Sequence, residues 1–329
     1  MSTHSKDILE KATTLSALIV GDVCLDRWCR YDPDLGEPSR ETGIPRTGVI
    51  RVDVTPGAAG TVANNLAALG LARVAVLGVI GQDGHGFELR RALRERGIED
   101  DLLVESADVQ TFTYTKLINS RTNVEDQPRV DFINQEKLPS AAERAVLDRL
   151  LGAFDLFDIV IVSDQAEGGC GGVITEAVRT LLQELSPNYP DKVVLVDSRQ
   201  HVADFRRIIA KPNHIEASKA CTGLFGRVDY QALREYMCAP LLLVTHGGEG
   251  VLLVTPEGEQ WVRTKPVENP VDICGAGDSF AAGFSVAYRA TRDAARSVRF
   301  GNAVASITIM KSGTGTASPA ELLAVAAPF

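Results

Sequence analysis

Short apolar runs alternate with stretches of helical periodicity along most of the chain. The runs that predict β-strands lie at about 17–21, 74–81, 158–163, 193–197, 241–245 and 251–255. The stretches that predict helices lie near 58–69, 87–96, 141–151, 173–185, 230–236, 277–290 and 294–311. Runs this apolar are typical of parallel strands that are buried on both faces. The pattern therefore predicts an α/β fold, a Rossmann-type three-layer α/β/α sheet.

Two segments, at about 29–54 and 111–134, interrupt this alternation and lack helical periodicity. Each contains a run of alternating apolar and polar residues, at 49–54 and at 111–118, which is typical of β-strands. Ordered loops of this length are uncommon unless they are functional, so we predict a small β-flap, or lid, inserted into one domain of residues 1–329. Because a two-stranded ribbon exposes its edges, we expect the flap to form a homodimer contact as well.

Polar residues follow several of the predicted strands. Asp26, Asp164, Asp197 and Asn213 each come after a strand-like run, and so does the loop at Gly275. In a parallel sheet the carboxyl ends of the strands meet at one edge, where ligands bind. We therefore expect these residues to converge on one crevice.

Composition narrows the classes of function. The net charge of −9, without any block of Lys and Arg, argues against nucleic acid as a partner. No apolar run approaches the roughly 20 residues that span a bilayer. The N-terminal segment lacks the apolar core of a signal peptide, and the six cysteines are scattered along the chain. These features predict a cytoplasmic protein with reduced thiols and no membrane partner.

The segment Gly275-Ala276-Gly277-Asp278, at the start of a predicted helix, carries the strongest chemical signal. Its two glycines let the backbone approach a ligand closely, and the first N–H groups of the helix make an anion site. Asp278 would repel an anion there, unless it takes a proton from a substrate hydroxyl while the amides stabilise a phosphoryl group. The alternative is a helix N-cap with an aspartate that interacts only with the helix dipole.

A second signature begins a helix at Gly57 and Ala58. Asn64 or Asn65 is placed to face the crevice, and Gly70 is placed to end the helix. Together with the Gly275 loop, this signature resembles the ribokinase-like, or phosphofructokinase-B, family of carbohydrate kinases. The resemblance covers about residues 16–322. Within the family the chain is most similar to kinases that phosphorylate heptose 7-phosphate, in segments 21–27, 115–117, 163–164, 211–216, 244–245 and 311–316.

This resemblance implies a ribokinase-like fold and the ATP- and Mg²⁺-dependent phosphorylation of a hydroxyl group on a sugar or sugar phosphate. It implies Asp278 as the general base and the amides of Gly275, Ala276 and Gly277 as the anion hole. The residues that it places near the sugar are Asp26, Gly57, Ala58, Asn65 and Asp164. The residues that it places near the nucleotide are Arg199, Asn213, Thr245, Gly247 and Asn302. The family also leaves open a monovalent cation such as K⁺.

The resemblance further implies that Asn213 and Glu216 organise Mg²⁺. A carboxylate with an amide oxygen suits this ion, which is typically held by one or two carboxylates, waters and substrate phosphates. The same spacing is also that of a helix N-cap with a capping-box glutamate, and this alternative stays open.

Three positions that would face the substrate depart from the family pattern. Ala58 replaces a glycine, Thr61 replaces an asparagine, and Glu167 replaces a lysine of the heptose 7-phosphate kinases. The identity of the sugar therefore stays open.

Two other functions also stay open. A nucleoside kinase on the same fold would need an aromatic acceptor pocket, for which Trp28, Phe112 and Tyr114 are candidates. A non-catalytic sugar- or nucleotide-sensing homologue would have no need of Asp278. A Rossmann dehydrogenase is disfavoured, because no G-x-G-x-x-G follows the first predicted strand.

Overall fold

A computed structural model describes residues 3–166 and 171–324. Its strands are β1 Ser16–Gly21, β2 Val23–Asp32, β3 Gly48–Ala58, β4 Arg73–Leu77, β5 Val79–Gly81, β6 Val104–Ser106, β7 Thr113–Asn119, β8 Val130–Phe132, β9 Ile159–Asp164, β10 Val193–Ser198, β11 Ile209–Ala210, β12 Leu242–Thr245, β13 Gly250–Thr255 and β14 Gly258–Arg263. Its α-helices are α1 Thr3–Ala12, α2 Ala59–Ala68, α3 Gly84–Arg94, α4 Ser140–Ala153, α5 Glu176–Leu185, α6 His214–Phe225, α7 Tyr230–Met237, α8 Ala276–Thr291, α9 Ala294–Thr308 and α10 Pro319–Ala324.

The main sheet has eight strands in the order β14-β13-β12-β11-β10-β9-β1-β4. The strands from β4 to β12 are parallel, as the apolar pattern predicts. The pairs β12–β13 and β13–β14 are antiparallel, so the expectation of a purely parallel sheet is wrong at this edge. The reason lies in the connections: they are too short to hold the crossover that a parallel pair needs.

Helices cover both faces of the main sheet. Along β1, Ile19 belongs to the buried cluster on one face, while Leu18 and Val20 belong to the cluster on the other. This alternation follows from the pleat, which turns successive side chains to opposite faces. The three-layer architecture that the sequence predicts is therefore confirmed. None of the described helices is long and apolar enough to cross a membrane.

The predicted β-flap is a second sheet of four strands, in the order β3-β2-β7-β8. Its strand β2 starts at Val23, directly after β1, so the flap begins earlier than the predicted insertion at about residue 29. The flap exposes large apolar side chains, among them Val49 at 43%, Ile50 at 56%, Val52 at 41% and Val130 at 49%. It therefore covers the crevice with little core of its own.

Candidate active site

A cavity of about 190 Å³ lies between the carboxyl ends of the main-sheet strands and the flap. It is lined by Cys24, Asp26, Arg27, Trp28, Ala58, Thr61, Tyr114, Lys116, Arg129, Gln165, Arg199, Cys274, Gly275, Asp278 and Thr314. The structure thus brings together Asp26, the Ala58 loop and the Gly275 loop, which are far apart in sequence. Of the positions predicted to converge on one crevice, Asp26 and the Gly275 loop line this cavity.

Asp278 lies in the first turn of α8, whose N-cap is Gly275. Gly275 has φ 77°, a left-handed conformation that suits glycine, and this turn aims the start of α8 at the cavity. Burial and the nearby Asp197 carboxylate raise the pKa of Asp278 to about 7, while Lys211 and Arg199 oppose the rise. A carboxylate with this pKa is poised to take up a proton near neutral pH.

Lys211 is a site residue that the sequence analysis did not single out. Its side chain is buried, and its Nζ lies 2.9 Å from Oδ2 of Asp197. A Cβ on Gly277 would lie only 3.4 Å from this Nζ, so the ammonium group sits against the backbone at the start of α8. Burial lowers the pKa of Lys211, but the carboxylates of Asp197 and Asp278 outweigh this effect and raise it, so the lysine stays charged. Its position directly before Pro212 and Asn213 was the only available signal.

Asp26 faces Asp278 from strand β2 of the flap. Burial raises the pKa of the Asp26 carboxyl to about 6, and the Cys24 thiol donates to its Oδ1 at 3.7 Å. A Cβ on Gly57 would lie 2.5 Å from both Asp26 Oδ2 and Cys24 Sγ. Gly57 is therefore needed to leave room for the Asp26 carboxyl group.

Ala58 departs from the family's glycine and keeps a backbone conformation that suits glycine. Its φ of 51° and ψ of −118° lie in a region that residues with a Cβ rarely adopt. Strain of this kind persists only where the surrounding structure imposes it, and it clusters at functional sites. The strained residue here lines the cavity.

Asn213 and Glu216 form the capping box of α6. Asn213 Oδ1 accepts the N–H groups of Ile215 and Glu216 at 2.9 Å, and Glu216 Oε2 accepts the N–H of Asn213 at 2.7 Å. Burial raises the pKa of the Glu216 carboxyl, and the nearby Asp197 carboxylate adds to the rise. Lys211 already pairs with Asp197, while the Glu216 carboxylate and the Asn213 amide oxygen are oxygen ligands of the kind that suits Mg²⁺. The described residues hold no cluster of three or more His, Cys, Asp or Glu that could bind a metal alone.

Of the predicted nucleotide residues, Thr245 and Gly247 lie near this helix start. The N–H of Thr245 donates to the carbonyl of Pro212 at 3.0 Å, which places the end of β12 beside Asn213. Gly247 follows with φ 55°, and Arg199 reaches the cavity wall after β10. Asn302 lies on α9, and its buried Nδ2 has no hydrogen-bond partner among the described residues. Of these residues, only Arg199 lines the 190 Å³ cavity.

Two residues predicted to contact the sugar lie behind the cavity wall. Asn65 is fully buried, and its amide donates to the carbonyl of Thr61 at 3.0 Å within α2. Asp164 is 5% exposed and accepts the Ser198 hydroxyl at 2.6 Å. Neither residue lines the 190 Å³ cavity, and their place near the sugar stays a prediction. Glu167, the third departure from the family pattern, lies outside the described residues.

The flap wall of the cavity carries positive charge that the sequence analysis largely missed. Arg27, Lys116 and Arg129 line it, together with the aromatic rings of Trp28 and Tyr114. Lys116 Nζ lies 3.7 Å from Glu125, while Arg129 is paired with Asp131 at 2.7 Å. Of the predicted aromatic residues, Phe112 is buried and does not line the cavity. The cavity thus places cations on the flap opposite the carboxylate of Asp278.

Comparison with known proteins gives a family and a fold. The family described as "pfkB family carbohydrate kinase" matches residues 23–321. The chain is 31% identical to the bifunctional protein HldE of Trichlorobacter lovleyi, over 97% of this chain and 64% of the relative. It is 28% identical to HldE of Citrifermentans bemidjiense, over 97% of this chain and 65% of the relative. The chain thus spans about two thirds of the length of these relatives.

Solved structures share the fold at low sequence identity. Escherichia coli phosphofructokinase-2, in complex with substrates and products, aligns with a TM-score of 0.70 and 19% identity, over 94% of this chain and 97% of that one. Thermotoga maritima ribokinase aligns with a TM-score of 0.69 and 18% identity, over 94% and 98%. The ribokinase-like fold that the motifs imply is therefore confirmed. With the family match spanning almost all of the folded chain, the protein belongs to the pfkB family of carbohydrate kinases.

Proposed function

We propose that this protein transfers the γ-phosphoryl group of ATP to a hydroxyl group of a sugar or sugar phosphate. The observation that carries the proposal is the placement of Asp278. Its carboxyl group has a pKa raised to about 7 and lies at the start of α8, in a cavity whose other wall carries Asp26. A base at the start of a helix suits a reaction that removes a proton from a hydroxyl while negative charge develops on a phosphoryl group.

Residues of both walls of the cavity have a part in this proposal. Asp278 accepts the proton of the acceptor hydroxyl, and Asp26 holds a neighbouring hydroxyl of the sugar. The amides of Gly275, Ala276 and Gly277 stabilise the charge on the transferring group. Lys211 adds a fixed positive charge beneath these amides, where burial strengthens its effect.

The proposal includes Mg²⁺, which would neutralise charge on the nucleotide phosphates when bound. Glu216 and Asn213 would organise the ion. Replacing Glu216 with Gln tests this role without removing the helix cap, because the amide oxygen can still accept the Asn213 N–H. We expect the Glu216→Gln variant to need a higher Mg²⁺ concentration for half-maximal activity at unchanged thermal stability. An unchanged Mg²⁺ titration would leave Glu216 as a helix cap only.

The cations of the flap wall favour an acceptor that already carries a phosphate group. Lys116, Arg129 and Arg27 would bind its oxygens, and the motif resemblance makes heptose 7-phosphate the first acceptor to test. A nucleoside acceptor is the second candidate, because the rings of Trp28 and Tyr114 line the same cavity. Closure of the flap over the acceptor would exclude water and limit the hydrolysis of ATP.

We also propose that the flap pairs two copies of the chain in a cytoplasmic homodimer. Strands β3 and β8 are the edges of the flap sheet and leave backbone groups for pairing. The exposed apolar side chains of Val49, Ile50 and Val52 lie on one of these edge strands. Pairing with a second copy would bury them.

A coupled ADP-release screen tests the proposed reaction. Purified protein with Mg-ATP and K⁺ is given heptose 7-phosphate, hexose phosphates, free sugars and nucleosides in separate reactions. We expect acceptor-dependent ADP release, strongest with a phosphorylated sugar, and its loss in the Asp278→Asn variant. Tight ATP binding without ADP release on any acceptor would favour the non-catalytic sensing homologue.

A further inference from the structure

The buried carboxylate of Asp22 has no part in the chemistry proposed above, yet three backbone donors converge on it. Asp22 directly follows β1 and is 3% exposed. Its Oδ2 accepts the N–H groups of Gln165 at 2.8 Å and Ala166 at 2.7 Å, while its Oδ1 accepts the N–H of Val173 at 2.8 Å. Asp22 thus holds residues that follow β9, more than 140 positions away in the sequence.

The side chain of Gln165 connects the segment held by Asp22 to residues of the cavity wall. Its Oε1 accepts Nε–H of Arg199 at 2.7 Å, and its Nε2 donates to the carbonyl of Asp197 at 3.3 Å. Gln165 and Arg199 both line the cavity that contains Asp278. The positive charge of Arg199 opposes the rise in the pKa of Asp278, so its guanidinium acts on the proposed base.

We propose that Asp22 is a positioning residue for phosphoryl transfer, which acts through Gln165 to hold the Arg199 guanidinium at the cavity wall. The proposal rests on the kinase function proposed above. Without the carboxylate, the N–H groups of Gln165 and Ala166 lose their acceptor and this part of the chain must find another arrangement. Gln165 then no longer presents its oxygen to the Nε–H group of Arg199.

The chemistry of the position requires a carboxylate. Three N–H groups point at its two oxygens, so an amide at this position would direct its own NH₂ group at a backbone donor. Burial raises the pKa of Asp22 to about 6, although the three N–H groups oppose the rise. Most of the Asp22 side chains are therefore ionised at neutral pH. Asp22→Asn removes this negative charge.

The hydrogen bond between Gln165 and Arg199 can be observed without any assay of activity. In deuterated protein, the Nε–H resonance of Arg199 is assigned by its loss in Arg199→Lys, and its hydrogen exchange is measured. We expect a slowly exchanging signal in the wild type and fast exchange in Asp22→Asn and Gln165→Ala. If Asp22→Asn does not fold, Asp22→Glu displaces the same oxygens while keeping the charge.

Asp83 provides a matched control. Its carboxylate also accepts two backbone N–H groups, from Gly86 at 2.7 Å and Thr111 at 2.8 Å, but it does not line the cavity. Asp83→Asn should lower the melting temperature and leave the Arg199 signal slowly exchanging. Slow exchange of Arg199 in Asp22→Asn would overturn the proposal.

Kinetics test the consequence for the reaction. We expect Asp22→Asn and Gln165→Ala each to lower kcat/KM by about 10–100-fold, as a small misplacement of a catalytic group does. The double variant should lose no more than the worse single variant, because both changes break the same chain of contacts. Losses that multiply would overturn the proposal.

The pH dependence of kcat/KM gives a further test, because a merely structural role of Asp22 would leave it unchanged. The groups that face Asp278 are Asp197, Lys211, Arg199 and Asp26. Arg199 and Lys211 are the two cations that lower the pKa of Asp278, while Arg27, Lys116 and Arg129 line the flap wall of the same cavity. Displacing Arg199 should therefore move the acid limb of kcat/KM to higher pH in Asp22→Asn, and the limb should stay in place in Asp83→Asn. If the wild type phosphorylates no acceptor, the kinase proposal fails, and the exchange rate of Arg199 still decides whether Asp22 positions it.

Discussion

The two walls of the cavity are built on sheets that differ in how much of their surface is buried. In the main sheet every residue of β10, Val193–Ser198, is buried, and the neighbouring Lys211 is only 3% exposed. In the flap the residues Val49, Ile50 and Val52 of β3 are between 41% and 56% exposed. One wall is therefore part of the protein core, and the other is a sheet with solvent around it.

The charged side chains of the two walls therefore lie in different surroundings. On the core wall, burial and neighbouring charges set the pKa values of Asp278 and Lys211. On the flap wall, Lys116 and Arg129 are paired with carboxylates near the surface, where solvent screens such pairs. A rigid core suits the chemical step, since fixed dipoles and charges need no rearrangement as the reaction proceeds. We therefore expect changes in the core wall to act on kcat and changes in the flap wall to act on KM.

The largest expected effect is that of Asp278→Asn, which changes a side chain of the core wall and leaves the flap wall unaltered. The amide keeps the size of the side chain but cannot accept the proton, so kcat should fall by about 10²–10⁴-fold. ATP affinity should hold or improve, because a negative charge beside the phosphates is removed. Steady-state kinetics and calorimetry measure the two quantities. More than a tenth of wild-type kcat in this variant would exclude Asp278 as the base.

The pH dependence of stability gives a second readout on the same variant. The pKa of Asp278 is raised from 3.8 to about 7 in the folded protein. The folded state therefore holds this proton more tightly than the unfolded state, and the stabilisation is lost as the pH rises through 7. Asp278→Asn should not show this loss, so at pH 8 its free energy of unfolding should exceed that of the wild type. Urea unfolding at pH 5 and pH 8 measures the difference.

Replacing one lysine on each wall compares the effects of the two walls on kcat and KM. Lys211→Met removes the charge beneath the proposed anion hole and should lower kcat by about 10²–10³-fold, the range found when one stabilising group of this kind is lost. It should also destabilise the fold, because Asp197 loses its buried partner. Lys116→Met should instead raise the KM for a phosphorylated acceptor by about tenfold, with kcat nearly unchanged.

Asp197→Asn combined with Lys211→Met controls for the stability effect, since it removes both members of the buried ion pair. We expect this double variant to recover stability but not kcat. Equal effects of Lys211→Met and Lys116→Met on kcat would contradict the division of roles between the walls.

A substitution on the flap, away from the proposed catalytic residues, tests the homodimer proposal. Ile50→Lys places a charge on an exposed apolar position of the edge strand β3, and should raise the dissociation constant of the dimer by about tenfold or more. Sedimentation at several micromolar concentrations measures it. Leu156→Lys, at a position that is 60% exposed outside the flap, is the matched control and should sediment as the wild type. A wild type that is monomeric with full activity would contradict the dimer.

The smallest expected effect concerns the strained backbone at Ala58, where the flap meets α2. Glycine adopts a φ of 51° and ψ of −118° without strain, so Ala58→Gly should stabilise the protein by about 1 kcal/mol. Ala59→Gly, at the first helical residue of α2, should destabilise it by a similar amount. Chemical denaturation of the two variants compares them. A loss of stability in Ala58→Gly would show that the methyl group contributes more than the strain costs.

Local pattern was sufficient for much of the fold. The apolar runs placed β1, β9 and β10 to within a residue or two, because buried parallel strands need continuous apolar residues. The pattern did not show that the edge beyond β12 is antiparallel, which depends on connection length. It also missed α6, whose residues His214–Phe225 were read only as a motif.

At the site, sequence alone determined the local structure that depends on the backbone and on neighbours in the chain. Gly275, Gly277 and Asp278 form one helix start, so a short motif describes them completely. Capping of α6 by Asn213 and Glu216 is local in the same way, and the sequence offered it as an alternative to metal binding.

Only the tertiary structure decided which side chains meet in the cavity. Gln165 and Arg129 line it without a motif of their own, and Lys211 lies against Gly277. Asn65 and Asp164 follow family motifs, yet neither lines the cavity. The direction of a side chain is set by packing against residues distant in the sequence, and so is its distance from other charges. Those distances also set the pKa values on which the proposed chemistry depends.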